Sequence, residues 1–188
     1  MNLTSLQRSC DATEQIVEAI QGDQFALPTP CSEWDVRALI NHLLGTFALG
    51  PALLGGPPLE MELRPGGLPP IDLAGDDPLK AYRTHAQTLL GTARADDLDR
   101  VRPTPLGEVP GSRVIGFVTL DAFVHGWDLA RATGQRVEFD PDLAAEMLEF
   151  AHQNVGDAVR GTVIGPEVAI PADAPTIDRL AAYLGRTP

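Results

Sequence analysis

Residues 119–135 read TLDAFVHGWDLARATGQ, and the fold class turns on how this stretch is taken. Apolar residues recur in it at intervals of three and four, and it closes on Gly134, the residue type that most readily ends a helix. It therefore forms the C-terminal part of a helix from about Arg113 to Thr133. Asp121 and His125 are four apart on that helix, which sets their Cβ atoms about 6 Å apart on one face. Phe117, Val118, Val124 and Leu129 surround the pair on the helical wheel, while Thr119, Ala122, Gly126 and Arg131 are expected on the solvent side. Ionisable groups on an inward stripe are expensive unless something partners them.

A second stretch repeats the arrangement. In CSEWDVRALINHLLG (31–45), His42 falls between Ala38, Leu39, Thr46 and Leu49 on the apolar side of a helix expected from about Glu33 to Leu54, opened by a Ser32/Asp35 capping box. A divalent metal shared by His42, Asp121 and His125 would resolve the burial of all three. Two imidazoles and a carboxylate suit zinc, with nickel, iron or manganese as less favoured alternatives, and three protein ligands leave one position open, the catalytic rather than the structural pattern. The alternative is an Asp121–His125 hydrogen bond with no ion. Asp128, one turn further, either orients a ligand or makes a helix–helix polar contact.

The remaining chain is helical with proline-rich joints. Residues 3–21 form a first helix with Thr4 as cap, and about 78–95 a third, with Leu79, Tyr82, Ala86, Leu89, Leu90 and Ala93 on one face. Asp140 and Pro141 open a fifth helix to about Asp157, and 176–184 form a last short one. Between them, 55–77 (GGPPLEMELRPGGLPPIDLAGDD) and 103–112 (PTPLGEVPGS) read as loops, and VIGPEVAIP (163–171) as a strand or extended segment. Loops as long as the first often form a lid or binding edge. The fold expected is all-α, an antiparallel four-helix bundle with additional short C-terminal helices, in one domain over 1–188: core bundle to about 160, extension from about 161.

A net charge of −12, with 14 Lys+Arg against 26 Asp+Glu in 188 residues, repels phosphate backbones and anionic membranes, so neither nucleic acid nor membrane is an expected partner. No apolar stretch approaches the roughly 20 residues of a membrane span, and no leader pattern opens the chain. Two cysteines, Cys10 and Cys31, are too few for a secreted disulfide framework, so a reduced, cytoplasmic compartment is expected. Cys31 reads as a buried structural cysteine. Eleven residues before His42 is about 16 Å along a helix, too far to share its metal. Trp34 and Trp127 read as core and wall residues, His85 and His152 as surface or boundary residues. Thr46, one turn beyond His42, is a weaker candidate to face a substrate.

TPCSEWDVRALINHLLG (29–45), DAFVHGWDLARATGQ (121–135) and the closing AAYLGRTP (181–188) together resemble the DinB-like superfamily, specifically the metal-binding domain of mycothiol-dependent maleylpyruvate isomerases and related stand-alone actinobacterial proteins. The likeness runs over nearly the whole chain. It implies a four-helix bundle holding a divalent metal, usually zinc, through a histidine on the second helix and a Glu/His-x-x-x-His pair on a later one. Carried over, those positions are His42, Asp121 and His125. Asp121 departs from the usual glutamate or histidine and, one methylene shorter, must approach the ion more closely. The resembling isomerases also have a separate C-terminal domain that contributes to catalysis and that this chain is expected to lack, so isomerase activity itself is not transferred.

Three readings follow. The first is a metal-dependent transferase or isomerase using a low-molecular-weight thiol such as mycothiol, with an electrophilic small molecule as substrate. The second is a non-enzymatic metal-binding or ligand-sensing module, the third a helical interaction domain that has lost its metal. A monomer or a homodimer is compatible with the wheel patterns, and no catalytic residue beyond the metal ligands stands out.

Overall fold

The computed structural model describes residues 2–56, 71–104, 107–156, 160–161 and 164–188. Helix α1 (Leu3–Ala19) starts at Asn2, whose side chain accepts the Ser5 N–H, so the cap is Asn2 and not Thr4. Helix α2 (Val36–Leu53) is capped by Asp35, which accepts the Ala38 N–H. Its expected start at Glu33 and the Ser32 capping box are both corrected, because Thr29 organises the preceding residues into a turn. The Thr29 hydroxyl donates to the Trp34 carbonyl at 2.8 Å and accepts the Cys31 N–H, and Pro28 bridges Asp35.

Helix α3 (Pro78–Thr92) carries Asp77 as cap and Pro78 in its first turn, and buries Tyr82, Ala86 and Leu89. It stops three residues short of expectation, before a 3₁₀ turn at Ala95–Asp97. The loop expected at 103–112 is instead half of an antiparallel hairpin, β1 (Val101–Thr104) with β2 (Gly107–Pro110), Arg102 opposite Val109. Gly107 opens β2 at φ 97°, a left-handed conformation open to glycine. Helix α4 (Gly111–Thr133) ends on Gly134 at φ 69° as expected. Helix α5 (Pro141–Asn154) is capped by Asp140, and α6 (Thr176–Tyr183) follows. Within 163–171, the described residues form no ladder, only an isolated Arg160–Ile164 bridge and a Val168 N–H to Ala182 carbonyl bond. Most of the long loop expected at 55–77 lies outside the described residues. Its C-terminal end is tied to α2 by an Arg37–Asp72 ion pair at 2.7 Å and by the Ala74 N–H donating to the Asn41 side-chain Oδ1 at 2.8 Å.

Helix α4 is the axis of the molecule. It shares one apolar cluster with α1, α2 and α3, and a second with α5 and α6. This corrects the expected solvent face. Of its four residues, only Arg131 is exposed, while Thr119, Ala122 and Gly126 are buried. Small side chains there let α1 approach so closely that its Ser9 and Thr13 hydroxyls donate to the Thr119 and Ala122 carbonyls, both at 2.9 Å. Among the described residues, α2 alone is long and apolar enough by composition to match a membrane span, which the sequence reading did not anticipate; half of it is buried, against α3 and α4.

A Cβ on Gly126 would collide with the Thr13 side chain. Gly126→Ala gains up to about 1 kcal/mol of helix propensity but displaces α1 and breaks the Thr13 hydrogen bond. A net loss of about 1–2 kcal/mol is expected in urea unfolding. An unchanged or raised midpoint would show that α1 yields freely at this contact.

Candidate metal centre

The three ligands expected from sequence converge. Helix α4 presents Asp121 and His125 one turn apart, and α2 presents His42 across from them. His42 Nε2 lies 3.1 Å from Asp121 Oδ2 and 3.3 Å from Oδ1, and His125 Nε2 lies 3.2 Å from Oδ1. Four ligands around a zinc ion with bonds of about 2.0–2.1 Å are themselves separated by roughly 3.3 Å, so these distances match the edges of such a site. Asp121 Oδ2 is buried and has no hydrogen-bond partner, although the His42 nitrogen is within ion-pair distance. A carboxylate that faces an imidazole nitrogen with each oxygen, one of those oxygens buried and without a hydrogen bond, is what a cation would complete, so the donor set fits a divalent metal.

The electrostatics describe the same cluster without an ion. Burial by itself would raise the Asp121 pKa, but the charges and hydrogen bonds of His42 and His125 hold it well below the usual carboxylate range. Burial would lower that of His125, yet Asp121, Asp128 and Cys31 together raise it well above the usual histidine value. The metal-free cluster is thus an anion held by a protonated imidazole, and a metal would enter by displacing that proton.

Behind His125 lies a second layer that the sequence reading saw only in part. His125 Nδ1 donates to Asp128 Oδ2 at 2.8 Å, and the Asp128 side chain is fully buried. A carboxylate accepts only, so Nδ1 keeps its hydrogen and Nε2 is the nitrogen turned to the ligand cluster. This geometry favours the orienting role among the two weighed for Asp128. Arg186 was not singled out at all. Its Nη2 reaches Asp128 Oδ2 at 3.0 Å and Cys31 Sγ at 3.3 Å.

Cys31 is also placed differently from expectation. Its Sγ lies 3.3 Å from Asp128 Oδ2 and 3.8 Å from His125 Nδ1, because residues 28–35 form a turn and the helical rise of 16 Å does not apply. Cys31, His125 and Asp128 are near enough to hold an ion of their own, but the Arg186 guanidinium already occupies the cationic role there. Cys31 therefore sits on the far side of the His125 ring from the triad. Cys10, by contrast, is buried on α1, and burial pushes its thiol up to about 12; neither cysteine is in a disulfide.

Trp34, on the same turn as Cys31, stacks on His42 with ring centroids 4.5 Å apart. It is a wall of the site. Trp127 is a core residue whose Nε1 donates to Asp178 on α6. His85 is half-buried and His152 exposed, as expected of boundary and surface residues. Between Val114 and Ala130 on α4, only Phe117 and Asp121 retain appreciable exposure, and His42, Thr46 and Leu49 are half-buried on α2. The triad is thus reached from the edge of the bundle where these two helices face solvent. A separate crevice of about 270 Å³ between α5, α6 and residues 167–172 contains none of the ligands.

A family model described as the mycothiol maleylpyruvate isomerase N-terminal domain matches residues 6–130, a span that includes all three candidate ligands and ends before AAYLGRTP. Two uncharacterized proteins of Mycobacterium tuberculosis, from strains CDC 1551 and H37Rv, are each 37% identical over 191 residues, covering 98% of this chain and 97% of the relative. No solved structure matches.

Proposed function

This chain belongs to the mycothiol maleylpyruvate isomerase N-terminal domain family, a DinB-like group, and on that premise we propose that it is a divalent-metal protein using a small-molecule thiol. In this reading His42, Asp121 and His125 hold the ion, zinc being the best match to the donors, and the protein is a thiol-dependent transferase or isomerase, with mycothiol as the thiol the family name suggests. The observation that carries it is the Asp121 carboxylate set between two imidazole nitrogens at zinc-like separations, Oδ2 against His42 and Oδ1 against His125, with the buried Oδ2 lacking a hydrogen-bond partner.

A divalent ion in this position supplies Lewis acidity, which favours the thiolate form of a thiol at neutral pH. The chain's own residues supply orientation. Trp34 fixes the His42 ring by stacking, and Asp128 fixes the His125 ring through Nδ1. The half-buried Thr46, Leu49 and Phe117 line the open edge on which an electrophilic substrate would rest. A second reading, a helical interaction domain with a metal-free cluster, is favoured by the ion pairs that Asp121 already makes with both histidines.

Elemental analysis of protein purified without chelator or metal-binding tag separates the two. Stoichiometric zinc or another divalent ion is expected, and is expected to vanish in Asp121→Ala and His125→Ala. Wild-type protein that takes up nothing, even after incubation with zinc, nickel and manganese, would overturn the metal reading in favour of the second.

A further inference from the structure

The segment after α6 lies outside the span the family model matches, yet it reaches the heart of the site. Gly185, at φ 86°, turns the chain so that the Arg186 N–H bonds back to the Ala181 carbonyl at 2.9 Å. Glycine is required there twice over, since a Cβ would also strike the Gly165 backbone. The turn directs the Arg186 side chain inward, where 11% of its surface remains exposed. Every guanidinium nitrogen is then engaged. Nε donates to Asp128 Oδ1 at 3.3 Å, Nη2 to Asp128 Oδ2 at 3.0 Å and Cys31 Sγ at 3.3 Å, and Nη1 to the Leu184 carbonyl at 2.9 Å.

We infer that Arg186 is a positioning residue of the metal centre: its two-pronged grip on Asp128 sets the His125 ring, and its third contact pins the Cys31 turn against the same ring. This rests on the reading of His125 Nε2 as a metal ligand. A planar fork meeting both oxygens of a carboxylate restricts its rotation as a single charge does not. Asp128 so held presents Oδ2 to Nδ1 in one orientation and aims the opposite nitrogen at Asp121 and His42. Four of its five N–H donors are thus spent within the protein, which makes it a structural clamp rather than a free anion site. The last turn of the chain and the 28–35 turn, far apart in sequence, are thereby joined through one side chain behind the site.

The test measures zinc affinity by competition with a chromophoric chelator, beside the imidazole N–H spectrum of the metal-free protein. Arg186→Gln is expected to weaken zinc by about tenfold to a hundredfold, and Arg186→Lys by less, since charge returns without the fork. Asp128→Asn weakens zinc too, and the double variant is expected to lose far less than the sum of the two single losses, because Arg186 acts chiefly through Asp128 and only its Cys31 contact lies outside that route. In the metal-free wild type, the His125 Nδ1–H bonded to Asp128 gives an exchange-protected low-field proton, expected to disappear in Arg186→Gln. Independent, additive losses of affinity, or a proton and an affinity both unchanged in Arg186→Gln, would overturn the inference. Should wild-type protein take no zinc while that proton still depends on Arg186, the metal reading fails and the positioning of His125 by Arg186 stands.

Discussion

Asp128→Ala is expected to destabilise the metal-free protein by about 3–5 kcal/mol, the range for breaking a buried ion pair by removing one partner. Asp128 is completely buried, and its two oxygens receive His125 Nδ1, two Arg186 nitrogens and the Cys31 thiol. Burial alone would raise its pKa, but His125 and Arg186 hold it below the usual carboxylate value. Deleting the carboxylate leaves two cationic side chains, 11% and 6% exposed, without their common counter-charge and with little access to water. The surface pairs of Arg83 with Glu14 and Glu18 make a useful contrast. They are as short, at 2.7 and 3.1 Å, but water screens them, and their removal is expected to change stability little. Urea unfolding near neutral pH compares the variants. A loss under about 1 kcal/mol for Asp128→Ala would mean that Arg186 swings out to water and that the cluster is a looser assembly than its distances indicate.

The triad was legible because its signal is local and periodic. Asp121 and His125 at i and i+4 share a face whatever else the helix does, and His42 on the apolar stripe of its own helix must face the same interior. What surrounds them was legible only in part. Thr119, Ala122 and Gly126 read as a solvent face because they are not large and apolar, whereas in a helix packed on several sides small residues mark where a neighbour comes closest; the hydroxyls of Ser9 and Thr13 on α1 confirm the contact. Cys31 was set aside by extending a helical rise through residues that are not helical. The Thr29–Pro30 pair was the available signal, since a threonine hydroxyl that bonds two residues on competes with helix formation. Arg186 had no local signal. Its partners are 58 and 155 residues away, and only tertiary structure brings them together. The hairpin of β1 with β2 was missed because the prolines and glycines of 103–112 read as loop breakers, although proline is tolerated where no ladder hydrogen bond is needed from it.

The metal-free stability and the increment that zinc adds to it are expected to respond to alkaline pH with opposite slopes. In the metal-free fold His125 keeps its proton beyond the ordinary histidine value, because Asp121 outweighs the opposing effect of burial. The folded state therefore binds more protons than the unfolded one above about pH 6.5, and the stability this pair contributes, full below that point, declines as pH rises toward the raised value. Asp121 sets the acid limit. Its pKa is depressed, so its contribution is present above about pH 4 and is lost as pH falls through the folded value. Zinc needs His125 neutral, so binding expels the same proton, and affinity rises by up to tenfold per pH unit while it must be displaced. At free zinc near a thousand times the dissociation constant, the stabilisation is about 4 kcal/mol. Thermal melts between about pH 5 and 9 should therefore show the metal-free midpoint falling and the zinc-induced increment growing across the alkaline half. Asp121→Asn removes the charge that retains the proton, so it is expected to flatten the metal-free slope as well as to weaken zinc. A zinc increment that stayed constant over that range would exclude His125 as the group that surrenders its proton to the metal, and with it the ligand set built on α4.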